Sequence, residues 1–326
     1  MKSKNKNIYL RILGIICLVI VMLLIFIFGV ITVICKGPFP TSKELFVVSV
    51  NETSAIKFLS NIYFTKDEVA QIIKNNSIVE TDEVTDVSKE FTGVDETKKD
   101  DIELVDVYGR TYKGKMIIVH DPSRVSLATL PVFGEKVVGK TVEKFVEEEN
   151  AIAGINAGGF LDLNGVGTGG LPLGNLIKDG KIISGSPDFV GNVVGFDANH
   201  RLVVGVMSGQ EALDLGVQES VYFFPTLIVN GKPAEVAGTG GGLNPRTVIG
   251  QREDGAVLLL VIDGRQPHSV GASFEDCIEQ MLAFGAVNAS NLDGGSSSIM
   301  IYNGEMVNVC ASLYGSRAQP AAWVVK

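Results

Sequence analysis

The sequence predicts an α+β fold: mixed, hairpin-rich twisted sheets with a few helices, preceded by one transmembrane helix. Three observations carry that expectation. A long uncharged run opens the chain, apolar segments repeatedly fold back at Asp-Gly or Asn-Gly turn signals, and few stretches keep the 3.6-residue apolar period of a helix. A chain of 326 residues has room for one large domain or two modest ones with a real core.

The uncharged run is Ile12 to Cys35. As a helix it spans about 36 Å, enough to cross a bilayer with some tilt. Lys2, Lys4, Lys6 and Arg11 precede it and only Lys36 follows closely, so the positive-inside rule puts the N-terminus in the cytoplasm and the remainder outside the cell membrane. A cleaved signal peptide would have an apolar core about half as long, and no small-residue cleavage site or lipobox precedes Cys35. Net charge is −9; the first 36 residues hold five cations and no acid, which leaves −14 on the rest. That balance argues against nucleic acid as a partner and against an ectodomain lying flat on anionic lipid, so the bilayer is met through the N-terminal helix alone. Cys17 and Cys35 belong to the span, whereas Cys277 and Cys310 are external and either pair or remain free thiols.

Three divisions follow: residues 1–36 as cytoplasmic tail and anchor, 37–105 as helical stalk and acidic linker, and 106–326 as the folded domain. In the stalk, Thr53 to Asn75 reads as helical, with Thr65 and Glu68 as a capping box and Val69, Ile72 and Ile73 as its stripe. Glu80 to Asp106 is acidic and poor in large apolar residues, the composition of a solvated linker. Beyond it, GKMIIVHDPSRVSLAT holds two strand candidates around an Asp-Pro turn. Five two-stranded units come next: NLIKDGKII, VVGFDANHRLVVGV, PTLIVNGKPAEV, TVIGQREDGAVLLLVI and IMIYNGEMVNV. The clearest helices of the domain are Thr141 to Glu149 and Phe274 to Phe284.

Two strand ends hold the candidate chemistry. Ala256 to Ile262 is almost purely apolar, the pattern of a strand buried on both faces, and it ends at Asp263-Gly264. Ser273 and Asp276 form an N-cap pair; Phe274, Cys277, Ile278, Met281 and Leu282 keep the helical period, and Gly285 stops it. Ala286 to Leu292 is a second strand, ending at Asp293-Gly294-Gly295. Strand, helix and strand of these lengths make a βαβ unit, so both aspartates leave the same sheet edge, where ligands of such sheets bind. Adjacent strands would set the two backbones about 5 Å apart, and one intervening strand about 10 Å.

In the hairpin before that unit, a two-residue turn at Asp254-Gly255 puts Arg246 opposite Asp263, and a four-residue turn shifts the pairing by two places. Arg246 and Arg265 thus bring guanidinium forks suited to phosphate beside the Gly294 and Gly295 amides. The glycine-rich loop GINAGGFLDLNGVGTGG follows a strand from Ala151 to Ile155 and points Asn156, Gly158 and Gly159 at the same rim, with Gly165 to Gly170 as surface loop. His268 lies within reach of the site, whereas His120 and His200 read as turn or strand residues and Glu275 as a helix N-terminus.

INAGGF, NPRTVIG, VIDGRQPHSVGASFED and NLDGGSSS, in this order and spacing, resemble the phosphodiester glycosidase domain. The similarity runs roughly from Asp106 to Lys326 and leaves out the anchor and stalk. The resemblance implies an α+β domain with twisted sheets that hydrolyses a sugar 1-phosphodiester, such as an N-acetylglucosamine-1-phospho linkage, in a glycan or glycoconjugate of the envelope. It also implies that Asn156, Arg246, Asp263, Arg265 and Asp293 line the cleft, with Gly294, Gly295 and Ser296 shaping its floor. Many relatives have a third glycine where this chain has Ser296, a departure that alters amide or hydroxyl contacts there.

Glycoside cleavage commonly uses two carboxyl groups. The expected catalytic set is Asp263, Asp293 and Arg246; Asn156, Gly158, Gly159, Gly264, Arg265, His268, Gly294, Gly295 and Ser296 are expected to bind substrate. With arginines on the phosphate, the departing phosphate monoester leaves as a stabilised anion. The opposing reading of each aspartate is a turn-former, because Asp-Gly commonly only bends the chain. Ser296 to Ser298 lack the elbow of a serine hydrolase. No His/Cys spacing fits zinc, and calcium has no signature, so neither metal nor other cofactor is expected. A function of another class is a non-catalytic polysaccharide-binding or exopolysaccharide-assembly factor; the presence of both aspartates and Arg246 favours the enzyme.

Overall fold

The computed structural model describes residues 2–53, 56–93, 95–162, 167–312 and 314–326. Helix α1 (Lys2–Lys36) is continuous, and its stretch Ile8–Lys36 is long and apolar enough to cross a membrane. Large apolar side chains from Ile8 to Phe28 stand exposed along it. Its last turns are tied to Tyr63: Thr32 Oγ1 lies 2.8 Å from Tyr63 Oη, and Lys36 Nζ donates to the Tyr63 carbonyl at 3.0 Å.

Three short helices come next, α2 (Pro40–Asn51), α3 (Phe58–Tyr63) and α4 (Lys66–Lys74). The expected Thr65/Glu68 capping box opens α4, with Thr65 N–H donating to Glu68 Oε2 at 2.7 Å and Glu68 N–H to Thr65 Oγ1 at 3.2 Å. Thr53 to Asn75 is therefore helical in two pieces, with Ser54 and Ala55 outside the described residues.

The acidic stretch from Glu80 is not a solvated linker. Thr85 and Val204 exchange hydrogen bonds, Asp86 N–H donates to Asn230 Oδ1 at 2.9 Å, and Thr92 N–H donates to the Glu253 carbonyl at 2.9 Å. Val84 and Val87 complete an apolar cluster with Val193, Val203 and Met207. Composition predicts disorder only for a segment left to itself. Here, backbone hydrogen bonds and two valines on an apolar sheet face hold the segment as a strap.

Three antiparallel-rich sheets make up the rest of the chain. The first, of seven strands, runs β1 (Ile102–Tyr108), β2 (Lys113–Val119), β13 (Val257–Ile262), β12 (Arg246–Arg252), β14 (Ala286–Leu292), β10 (Thr226–Val229) and β11 (Lys232–Pro233). The second runs β16 (Glu305–Met306), β15 (Met300–Tyr302), β4 (Ala153–Asn156), β17 (Ala321–Val325) and β3 (Val125–Thr129). The third runs β6 (Lys181–Ser184), β5 (Leu176–Lys178), β9 (Val217–Tyr222), β7 (Val190–Asp197) and β8 (Leu202–Ser208). All five expected two-stranded units are antiparallel pairs. The strands around Asp121-Pro122 do not pair with each other; β2 joins the first sheet and β3 the second.

The main core lies where the three sheets face one another. Trp323, Ile155, Phe196, Leu202, Ile249, Leu259 and Leu292 meet there, with the Phe196 ring edge-on to Trp323 at 5.3 Å. Burial of this kind contributes roughly 1.5–3 kcal/mol per large side chain. The outer faces are covered by helices: α7 (Phe274–Ala283) on the first sheet, α5 (Val142–Glu148) on the second, and α6 (Gly209–Asp214) with the strap on the third. Cys277, on the inner face of α7, is fully buried and Cys310 is partly buried; both are free thiols.

The βαβ unit forms as expected, β13 to α7 to β14, with β12 inserted antiparallel between its strands. One intervening strand selects the wider spacing of the two anticipated, about 10 Å between strand ends. Arg246 pairs with Ile262 and Thr247 with Leu292, so both strands end level at one edge.

Candidate active site

A cleft of about 900 Å³ opens at that edge. Arg246, Arg265, Asp293, Gly294, Gly295 and Ser296 all line it. Its volume is in the range of small-molecule sites.

Asp293 is the carboxyl the cleft is built around. Burial pushes it up to about 6, while the Ser297 hydroxyl, Arg317 and the Gly294 amide pull the other way and Asp162 pushes further up. Asn156, fully buried, fixes its backbone: Nδ2 donates to the Asp293 carbonyl at 2.6 Å, and Oδ1 accepts from Thr247 Oγ1 at 2.8 Å and from Ile299 N–H at 3.1 Å. The Asp293 N–H donates to the Ala157 carbonyl at 3.0 Å. Asn156 is thus a positioning residue set behind the cleft wall, not the lining residue expected.

Arg246 does not offer a free fork to phosphate. Nε donates to the Ala272 carbonyl at 3.2 Å, Nη2 to the Gly241 and Gly242 carbonyls at 2.7 and 3.2 Å, and Nη1 to Glu52 Oε2 at 3.1 Å. The guanidinium also stacks on Phe274, 4.1 Å from the ring centre, and the residue is 3% exposed. The turn explains this. Neither a two- nor a four-residue loop forms; Arg252 N–H bonds the Ala256 carbonyl, leaving three residues, Glu253 to Gly255, with Gly255 at φ 90°. An odd loop shifts the register by one, and a one-residue shift moves a side chain to the other face. Arg246 consequently shares a face with Ile262 and packs beneath α7, away from Asp263.

Asp263 is likewise withdrawn. Its Oδ1 accepts from Val309 N–H at 2.8 Å and from Asn308 Nδ2 at 3.4 Å, Oδ2 lies 3.1 Å from His268 Nε2, and its carbonyl accepts from Ser269 Oγ at 2.6 Å. At 7% exposure it locks two loops together and is absent from the cleft lining. His268 follows it there, and Gly264 packs on Pro245, whose nitrogen would lie 2.5 Å from an added Cβ. Gly158 and Gly159 serve packing against the third sheet, close to Tyr222 and to the Phe223 ring. Gly295, at φ 62°, spends its amide on the Pro245 carbonyl at 2.9 Å rather than on the cleft. The paired acidic tips that the sequence predicts therefore do not meet at one hollow; Asp293 alone faces it.

Arg265 is the guanidinium with capacity left. Nη2 donates to the Glu52 carbonyl at 3.3 Å and to Asn244 Oδ1 at 3.1 Å, while buried Nε has no partner among the described residues. Burial lowers its pKa first, and Glu52 opposes that. Gly295 admits it, since an added Cβ would stand 3.2 Å from Nη1.

Residues that carry no motif in the sequence complete the site. Glu52, just past α2, enters the cleft from a segment expected to be stalk. Asp162 and Arg317 form an ion pair at 2.7 Å, with Arg317 stacked 4.8 Å over Phe160. Phe223, Phe224 and Asn291 supply a further wall. The only local signal among these was the aromatic run Tyr222-Phe223-Phe224 before Pro225. No group of three or more His, Cys, Asp or Glu side chains gathers as for a metal among the described residues.

The chain thus sets a carboxyl and guanidinium groups at the carboxyl edge of a βαβ unit in an α+β scaffold. Residues 149–326, more than half of the chain, match the family described as phosphodiester glycosidase, and the chain belongs to that family. It is 30% identical over 181 residues to the SPbeta prophage-derived uncharacterized protein YomE of Bacillus subtilis (strain 168), covering 52% of this chain and 27% of that one. It is 25% identical over 221 residues to the Mus musculus N-acetylglucosamine-1-phosphodiester alpha-N-acetylglucosaminidase, covering 61% and 42% respectively. The chain thus spans less than half the length of these relatives. The fold is shared with the catalytic domain of the zebrafish enzyme of the same name, auto-inhibited there by its pro-peptide, at a TM-score of 0.56 and 22% identity over 69% of this chain and 82% of that one.

Proposed function

We propose that the chain is a membrane-anchored hydrolase that cleaves a sugar 1-phosphodiester, such as an N-acetylglucosamine-1-phospho linkage, in an extracellular envelope polysaccharide or glycoconjugate. The single observation that carries this reading is the Asp293 carboxyl, raised to about 6, in a cleft that also holds Arg265. Arg265 takes the phosphate through Nη1, the guanidinium nitrogen that faces Gly295 in the cleft. The ionised Asp293 accepts a proton from water as the water oxygen bonds the anomeric carbon. The C1–O bond breaks with its electron pair going to the phosphate oxygen, so the leaving group departs as a phosphate monoester anion and needs no proton in that step. Arg246 holds the loop before β12 and touches no substrate. Lys2, Lys4, Lys6 and Arg11, ahead of the uncharged run, support a cytoplasmic N-terminus.

The test uses the full-length chain in detergent micelles with UDP-N-acetylglucosamine, reading released sugar. Turnover is expected, with kcat/KM rising tenfold per pH unit below about 6 and levelling above it, as Asp293 ionises. Intact cells given the same impermeant substrate should release the sugar outside. Binding without turnover would instead favour the non-catalytic polysaccharide factor. Arg265→Ala is expected to raise KM by about tenfold, the scale of a lost charge-assisted hydrogen bond. A KM unchanged in that variant would take Arg265 off the phosphate.

A further inference from the structure

We propose that Phe223, Phe224 and Asn291 form a pyranose-binding subsite within the cleft, which selects the sugar that Asp293 acts on. The inference rests on the hydrolase reading and names the part of the site that holds the sugar ring.

The two phenylalanine rings stack with centroids 5.6 Å apart and planes at 16°. Tyr222 braces Phe224 at 6.3 Å and is itself met edge-on by Phe189 at 5.3 Å. Phe224 nevertheless stays 51% exposed at the cleft. Gly159 explains the seat of Phe223, because an added Cβ would lie 3.1 Å from its ring. A braced ring left half in water on the wall of a large cleft is a surface shaped for an apolar partner.

Asn291 adds a polar group beside the rings. Its Nδ2 donates to the Phe224 carbonyl at 2.9 Å and its N–H to the Pro225 carbonyl at 3.1 Å, tying the aromatic loop to the end of β14. That tether fixes the amide's orientation and leaves Oδ1, which is buried and has no partner among the described residues. The residue is 2% exposed and lines the cleft. A buried acceptor without a donor is costly, so a donor from the ligand is what it lacks.

A pyranose chair matches both features. One face presents C–H groups, whose positive ends suit the negative face of an aromatic ring. Its rim presents hydroxyls or an acetamido N–H that can donate to Asn291 Oδ1. Asn291 stands two residues before Asp293 in the chain, so a sugar held there has its anomeric end near the carboxyl and its phosphate toward Arg265.

The experiment measures the full-length chain in detergent with the methyl phosphodiester of N-acetylglucosamine, an aglycone too small to stack. Phe224→Ala is expected to raise KM by about tenfold with kcat within about threefold, and Phe224→Trp to restore most of it. Asn291→Ala should raise KM in the same direction. An unaltered KM in Phe224→Ala overturns the subsite. Ligand-observed NMR with methyl N-acetylglucosaminide separates this outcome from failure of the hydrolase reading. Saturation transfer seen in wild type and lost in Phe224→Ala upholds the subsite even in a chain without turnover, and no transfer from wild type overturns it.

Discussion

Asp293→Asn is expected to lower kcat on a sugar 1-phosphodiester by about 10²–10⁴-fold, the usual contribution of a positioned acid or base, while making the protein more stable above pH 6. Both effects come from one cause. Burial raises the carboxyl of Asp293 from 3.8 to about 6, so the folded state prefers its neutral form. Between those two values the folded chain binds more protons than the unfolded one, and stability therefore falls as pH rises through the window. Above pH 6 the penalty is greatest, at most on the order of 3 kcal/mol because the residue is only partly withdrawn from water. Asparagine carries no such penalty. The wild type and the variant should therefore converge in stability below about pH 4 and diverge as pH rises to 6, as thermal unfolding followed by circular dichroism would read. Equal turnover by the two proteins would remove Asp293 from the reaction; a stability gap independent of pH would show that its carboxyl is not held in its neutral form.

Arg246→Ala is expected to destabilise the protein by about 2–4 kcal/mol, because buried carbonyls left without a donor cost about 1–3 kcal/mol each while the partner carboxylate of Glu52 stays in reach of water. The substitution strips donors from the carbonyls of Ala272, Gly241 and Gly242 at once and removes the cation from the face of Phe274. It also leaves Glu52 without the guanidinium that draws the segment after α2 to the cleft. A shift in thermal midpoint with far-UV signal intact before the transition would measure it. A near-neutral effect on stability together with a large rise in KM would restore Arg246 to the phosphate and contradict the structural role.

Much of the fold is legible in the sequence because its signals are local. Asp-Gly and Asn-Gly turns announce the hairpins, and Thr65/Glu68 and Ser273/Asp276 mark helix starts that form as capping boxes. The parallel relation of β13 and β14 follows from the length of the helix between them. The strap over residues 80–92 is not legible, since its hydrogen bonds go to Val204, Asn230 and Glu253, and composition carries no record of partners so distant. In the site, Asp293, Arg265 and the glycines after Asp293 stand out from the motifs alone. Asp263 reads as a companion to Asp293 because a shared sheet edge does not say which way a side chain turns. A third residue in the Glu253–Gly255 loop decides that, by a register step no motif displays.

By itself the sequence determined an apolar N-terminal helix, an α+β domain of the phosphodiester glycosidase family and two parallel strands that end at one sheet edge. Those are properties of spacing and local conformation, set by residues close together in the chain. Only the tertiary structure decided that Asp293 faces the cleft while Asp263 binds loops, that Arg246 is saturated while Arg265 is not, and that Glu52, Asp162, Arg317 and the Phe223–Phe224 pair share the site. Desolvation and hydrogen-bond saturation depend on every group brought within a few ångströms, and that company assembles only when distant segments pack.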